Sequence, residues 1–162
     1  MTHQHRPDLP PGPGTVDDAL DHASVLVVDD NEQNLELLQA YLDGLGCSIR
    51  TARDGVEAMG AVEAAVPDLV LLDVMMPRMS GFQVCERIKA SPRTRDVPVI
   101  MVTALNEVGD VERAVEAGAD DFLTKPVNRL ELVTRVRSLL RVRRLKSQLD
   151  STLDELRRYK GC

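Results

Sequence analysis

Aromatic side chains are almost absent from this chain. Its 162 residues include two Phe, two Tyr and no Trp. Nucleic-acid binding by stacking bases on rings is therefore poorly supported. Histidine is scarce in a more telling way: His3, His5 and His22 all lie in the first 22 residues. The remainder cannot build a Ser-His-Asp or Cys-His nucleophile system, nor a histidine metal site. Cys47, Cys85 and Cys162 are an odd number without metal-ligand spacing, and read as reduced thiols. No apolar run reaches membrane-spanning length, and no charged-then-apolar signal segment opens the sequence. A soluble, cytoplasmic protein without a membrane partner is expected.

The formal charge of −6 hides an asymmetry. From Asn128 to Cys162, ten Lys/Arg stand against four Asp/Glu, and the preceding residues carry ten against twenty-two. An acidic body thus precedes a basic C-terminal segment. A solvated helix face is the ordinary reading of such a segment. Nucleic-acid binding would need a docking motif, and none is found. Residues 1–22 hold Pro7, Pro10, Pro11 and Pro13 among polar residues and are expected to be a disordered tail.

From about residue 23 the pattern alternates between strand and helix. Short β runs fall at Ser24–Val28, Ser48–Ala52, Asp68–Leu72, Val97–Thr103 and Asp120–Thr124. Helical patterns lie at Asn31–Leu45, with Leu35, Leu38 and Leu42 in phase, and at Gly55–Ala65 and Gly81–Ala90. A fourth spans Val108–Ala117, with Val111, Ala114 and Val115 assigned to one face. Five β-α repeats imply a parallel sheet with right-handed crossovers and helices on both faces.

Four of the runs deliver chemistry at their carboxyl ends. Val25–Val28 ends at Asp29-Asp30, Leu69–Leu72 at Asp73, Val99–Val102 at Thr103, and Asp121–Thr124 at Lys125-Pro126. In an open parallel sheet those ends share one edge, where ligands bind. Clustered carboxylates there call for a hard cation, and a hydroxyl and an ammonium suit a phosphoryl group. Taken singly, Asp29, Asp30 or Asp73 also fits a helix N-cap, Thr103 a strand residue and Lys125 a solvated charge.

In this order the four motifs resemble the receiver domain of bacterial two-component response regulators. The segment Gly118-Ala119-Asp120-Asp121-Phe122-Leu123-Thr124-Lys125-Pro126 is similar to that family's usual wording, and the resemblance spans about Ser24 to Leu140. It implies an α/β, flavodoxin-like, doubly wound five-stranded parallel sheet in the order 2-1-3-4-5. Alternation alone permits other doubly wound orders. The implied organisation is a tail over 1–22, a receiver over 23–141 and a helical extension over 142–162.

The resemblance also assigns roles. Asp73 is the phosphoacceptor, and a sensor histidine kinase or phosphotransfer protein is its partner. Mg²⁺ is held by Asp30 directly, by Asp29 through water, and by Asp73 and the Met75 backbone carbonyl. Lys125, Thr103 and the Ala104 amide contact the phosphoryl oxygens, and the Lys125–Pro126 peptide is cis. Thr103 and Phe122 form the switch, acting on the fourth helix, fifth strand and fifth helix. Such a domain is no enzyme in the ordinary sense: it catalyses only its own phosphorylation and dephosphorylation. Met75 and Leu105, which flank the site, are apolar where the family varies, and suggest slow loss of phosphate.

Two other function classes fit parts of the pattern. A Mg²⁺-dependent phosphohydrolase with an Asp nucleophile would carry an acid two residues beyond it, where this chain has Met75. A dimerisation module with an unused site would need only the last helix. That helix begins near Asn128 and meets no Pro or Gly until Gly161. Val142, Leu145, Leu149, Thr152, Leu156 and Tyr159 recur at spacings of three and four, a heptad seam with one weak position. It runs on the order of 28 Å, marginal without a partner. It reads as a parallel coiled coil joining two copies, as a linker to a C-terminal output domain, or as an exposed fraying helix.

Overall fold

The structure, a computed structural model, describes residues 21–104 and 108–160. The expectation of a disordered tail therefore falls almost wholly outside the described residues, as do Leu105 and Cys162. Strands β1 (Ser24–Val28), β2 (Ser48–Ala52), β3 (Leu69–Asp73), β4 (Val99–Thr103) and β5 (Asp121–Thr124) alternate with five helices. These are α1 (Glu32–Leu42), α2 (Gly55–Ala64), α3 (Gly81–Ala90), α4 (Val108–Glu116) and α5 (Arg129–Lys160). The strands form one sheet, all parallel, in the order β2-β1-β3-β4-β5.

Alternate residues of each inner strand enter two separate cores. Leu26, Val28, Val70, Leu72, Val99 and Met101 pack with α2, α3 and α4. Val25, Val27, Leu69, Leu71, Ile100 and Val102 pack with α1 and α5. A sheet covered on both faces explains why its strands read as unbroken apolar runs. On α1 the buried residues are Leu35, Leu38 and Leu42, as their spacing requires.

The structure moves several boundaries. Helix α1 stops at Leu42, not Leu45, because the chain turns through left-handed Gly44 and Gly46, with φ of 84° and 83°. Strand β4 begins at Val99, two residues late: the Val97 N–H donates to the Thr94 carbonyl in a turn, and Pro98 has no N–H. Strand β3 includes Asp73 and excludes Asp68.

Helix α4 carries the one misassigned face. Val111 and Val115 are exposed, at 46% and 69%, while Ala114 and Ala117 are buried. Relative to the expected face, the helix is rotated by roughly a quarter turn. Small alanines let its backbone approach the sheet, and the Arg113 guanidinium then lies over the Phe82 ring of α3, 4.3 Å from its centroid.

Helix α5 is started by the Asn128 side chain, which accepts from the Glu131 N–H at 3.1 Å. It buries Leu132, Val133, Val136 and Leu140, and nothing beyond. Its last five turns stand clear of the sheet's cores. Among the described residues no helix is long and apolar enough to cross a membrane.

Candidate functional site

The polar residues that end β3 and β4 and follow β1 and β5 meet at one edge of the sheet because all strands are parallel. Asp29 and Asp73 are buried, at 1% and 5% exposure, and Asp30 is exposed. One carboxylate oxygen from each lies within 4.8 Å of the others. Three carboxylates so placed repel strongly. Two fixed features offset part of that repulsion. The Lys125 ammonium donates to Asp29 Oδ2 at 3.0 Å and stands 3.4 Å from Asp73 Oδ1. The Met75 N–H donates to Asp73 Oδ1 at 3.4 Å, and the Asn31 N–H to Asp29 Oδ1 at 2.9 Å.

Neither acidic motif serves as a helix cap. Helix α1 is capped by the Asn31 side chain, which accepts from the Asn34 N–H at 3.2 Å. Helix α3 is capped by Ser80, in a capping box with Gln83. Asp29, Asp30 and Asp73 are thus released from that duty and face one another.

Electrostatics follow from this geometry. Burial raises the Asp73 pKa to about 6, with Asp29 pushing the same way and Lys125 and the Met75 amide opposing. Burial alone would lower the Lys125 pKa, but the hydrogen bond to Asp29 and the charge of Asp73 outweigh it and raise it. The site therefore offers one oxygen-rich, partly uncompensated negative pocket and one cation fixed at its side. All three donors are carboxylates, which suits a hard divalent cation and not a soft one.

The remaining expected residues fall as follows. Thr103 is fully buried at the end of β4, and its carbonyl accepts the Lys125 N–H at 2.8 Å. Ala104 is exposed beside it. The Lys125–Pro126 peptide is cis. Met75 extends its side chain outward, 63% exposed, while its amide turns to Asp73. Phe122 is half-buried and packs on the core beneath α2, α3 and α4.

Gly81 was missed at the sequence level as a site residue. Its N–H donates to the Val74 carbonyl at 2.9 Å. A Cβ here would overlap the Asp73 carbonyl oxygen and stand 2.9 Å from Val74 Cα. Only glycine lets α3 close against the backbone that carries Asp73. The Ser80-Gly81 pair at a predicted helix start was the available signal.

A five-stranded 2-1-3-4-5 sheet with an acidic cluster at its carboxyl edge and a lysine before a cis proline defines a receiver-type signalling domain. The family model described as response regulator receiver domain matches residues 25–137, and the chain belongs to that family. It is 46% identical over 127 residues to the response regulator PleD of Caulobacter vibrioides, a match covering 78% of this chain and 28% of that protein. It is 39% identical over 117 residues to the DNA-binding dual master transcriptional regulator RpaA of a Synechocystis strain, covering 72% and 48%. The chain thus spans between about a quarter and a half of these relatives' length. Among solved structures, it resembles the signal receiver domain of a signal transduction histidine kinase from Syntrophus aciditrophicus, with TM-score 0.69, 38% identity and coverage of 73% and 89%. The chemotaxis protein CheY4 of Vibrio cholerae aligns with TM-score 0.69, 28% identity and coverage of 73% and 98%.

Proposed function

We propose that this chain is the phosphoacceptor of a two-component phosphorelay, with Asp73 as the residue modified. The observation that carries the reading is a buried carboxylate at the end of β3, flanked by Asp29 and Asp30 and touched by Lys125. The donor is a phosphohistidine of a sensor kinase or phosphotransfer protein, met in the cytoplasm. Asp73 Oδ1 holds both the Met75 amide and Lys125, so Oδ2 attacks phosphorus in line. A P–O bond forms to Asp73 as the P–N bond to the imidazole breaks, and the leaving imidazole takes a proton from solvent.

Asp29, Asp30, Asp73 and the Met75 carbonyl would hold Mg²⁺, which when bound would supply the charge neutralisation an anionic phosphoryl group needs beside an anionic nucleophile. Lys125 neutralises a phosphoryl oxygen from the other side. The Thr103 hydroxyl and the Ala104 amide donate to the remaining oxygens. Displacement of Thr103 toward the phosphoryl group opens space into which Phe122 rotates. Phe, unlike Tyr, needs no buried hydroxyl partner there. The change shifts the population of two surface states of α4, β5 and α5.

The organisation we propose is a tail over 1–22, a receiver over 23–141 and an extension over 142–162 that pairs with a second copy and leads toward an output module. The phosphohydrolase alternative lacks a general acid, since Met75 stands two residues beyond Asp73. Incubation with Mg²⁺ and acetyl phosphate should add one phosphoryl group, read by mass spectrometry, and Asp73→Asn should abolish it with the fold intact. Phosphate on another residue of the wild type would overturn the assignment.

A further inference from the structure

The basic start of the C-terminal extension is engaged by the receiver itself. Arg143 Nε lies 3.3 Å from Asp68 Oδ1, and Arg143 Nη1 donates to the Asp96 carbonyl at 3.1 Å. Lys146 Nζ lies 2.7 Å from Asp96 Oδ1. The Lys146 ammonium holds the Asp96 carboxyl below its ordinary value. These contacts join residues 75, 47 and 50 positions apart, at the end of the sheet opposite Asp73.

The contacts have a rotational consequence. Arg143, Arg144, Ser147 and Ser151 line a groove against Asp68 and Asp96. Val142, Leu145, Leu149, Leu156 and Tyr159 do not line it and are exposed. The extension therefore turns its polar side to the receiver and its apolar stripe away. Leu153, exposed beside that stripe, widens it opposite the weak Thr152.

The heptad assigns the charges unequally. With Val142, Leu149 and Leu156 at a and Leu145, Thr152 and Tyr159 at d, Arg143, Arg144, Arg157 and Arg158 fall at b and c, off the interface. In a parallel, in-register pair the flanking g-to-e contacts are Arg141 with Lys146, Gln148 with Leu153, and Glu155 with Lys160 of the second copy. The last attracts. The first repels, and its Lys146 is the cation that Asp96 draws aside.

We infer that Asp68 and Asp96 form a clamp that sets the rotational phase of the C-terminal helix and withdraws Lys146 from its dimer seam. The second half of this statement rests on the dimer reading above, and the first does not. The clamp sits just before the strands that carry the site. Asp68 immediately precedes β3, which ends at Asp73, and Asp96 stands three residues before β4, which ends at Thr103. A shift of either strand along its axis reaches both ends. The extension is thereby tied to the site through β3 and β4 as well as through the α4-β5-α5 surface.

The test has two arms. In a Leu149→Asp background, which breaks the seam, amide hydrogen exchange over 143–150 reads the clamp in the monomer. Combining Asp68→Asn with Asp96→Asn should speed that exchange severalfold. In the wild-type background, sedimentation should show the dimer Kd raised about three- to tenfold by the same pair, as Lys146 returns to the seam and restores the two Arg141–Lys146 repulsions of the dimer. Both effects should vanish where Arg143→Gln and Lys146→Gln already remove the cations. Asn retains the acceptor for the Ser24 N–H that Asp68 Oδ2 now serves at 2.8 Å. The two basic substitutions alone, on an exposed helix, should speed the exchange in the Leu149→Asp background likewise, and they serve that arm if the acidic ones unfold the protein. Unchanged exchange, or an undiminished effect of the acidic substitutions without the cations, would overturn the clamp. A monomeric wild type would overturn only the seam, with the exchange arm still deciding the rest.

Discussion

Lys125 stands closer to Asp29 than to Asp73: its Nζ lies 3.0 Å from Asp29 Oδ2 and 3.4 Å from Asp73 Oδ1. The lysine therefore occupies part of the negative pocket that a cation would enter, and the two compete for Asp29. Lys125→Ala should cost the metal-free fold on the order of 2 kcal/mol, since it strips a buried carboxylate of its counter-charge. The same change should enlarge the rise in Tm produced by Mg²⁺. Calorimetry with and without 10-millimolar-range Mg²⁺ separates the two effects, and a smaller Mg²⁺ response in the variant would contradict the competition.

Asp30 is the exposed member of the acidic trio and has little to lose structurally. Mg²⁺ should raise the Tm of the wild type because it binds the folded cluster and not the unfolded chain. Asp30→Ala should leave the metal-free Tm close to wild type and remove most of the Mg²⁺ increment. A full increment in Asp30→Ala would place the cation elsewhere.

Asp73 has a pH signature. Its folded pKa of about 6 lies above the unfolded carboxylate value. The folded state thus holds this proton more tightly, and the ionised side chain destabilises the metal-free fold at pH 7. That penalty shrinks as pH falls through 6 and is gone below the unfolded pKa. Metal-free Asp73→Asn should be more stable than wild type at pH 7 by about 2 kcal/mol, with the gap closing toward pH 4. Denaturant titrations at four pH values measure it. A variant clearly less stable than wild type at pH 7 would make Asp73 a structural residue.

The strand ends that build this site were legible because both sheet faces are covered. A fully buried strand must be apolar until it emerges, so the first polar residue marks the edge. Asp29, Asp73 and Thr103 follow that rule directly. The face of α4 was not legible, because Val111 and Val115 outweigh Ala114 and Ala117 in hydrophobicity while the packing needs small side chains. Partnerships were less legible still. Lys125 with Asp29 and Arg143 with Asp68 join residues 96 and 75 apart, and no local pattern encodes such distances. The two acidic motifs are freed from capping by Asn31 and Ser80, polar residues that follow them in the sequence and stand directly before α1 and α3.

Gly81 couples α3 to the site. Because its Cβ would collide with the backbone of Asp73 and Val74, Gly81→Ala must push β3's end or α3 outward. Backbone overlap of this kind costs about 1–3 kcal/mol. Acetyl phosphate labelling of Asp73 should slow at least severalfold, even at temperatures where the variant is fully folded. Gly60, with open space around its Cβ, is the control, and Gly60→Ala should leave labelling unchanged. Equal labelling of both variants would separate α3 packing from the geometry of Asp73.

The extension of α5 yields the last prediction. Its exposed stripe of Val142, Leu145, Leu149, Leu153, Leu156 and Tyr159 has no cover within the described residues. A helix that keeps its polar side toward its own domain and an apolar stripe outward is arranged for a second copy. Parallel pairing places Glu155 against Lys160 and leaves most arginines on the outer faces. Light scattering should therefore report a dimer at micromolar concentration, and Leu149→Asp should yield monomer without changing Asp73 labelling. Cys162 lies outside the described residues, but parallel chains in register would bring the two thiols together. Mild oxidation should then give a disulfide-linked dimer that Cys162→Ser abolishes. An antiparallel pair would dimerise without that crosslink, and a wild type monomeric at high micromolar concentration, with and without beryllofluoride, would leave the helix as a linker alone.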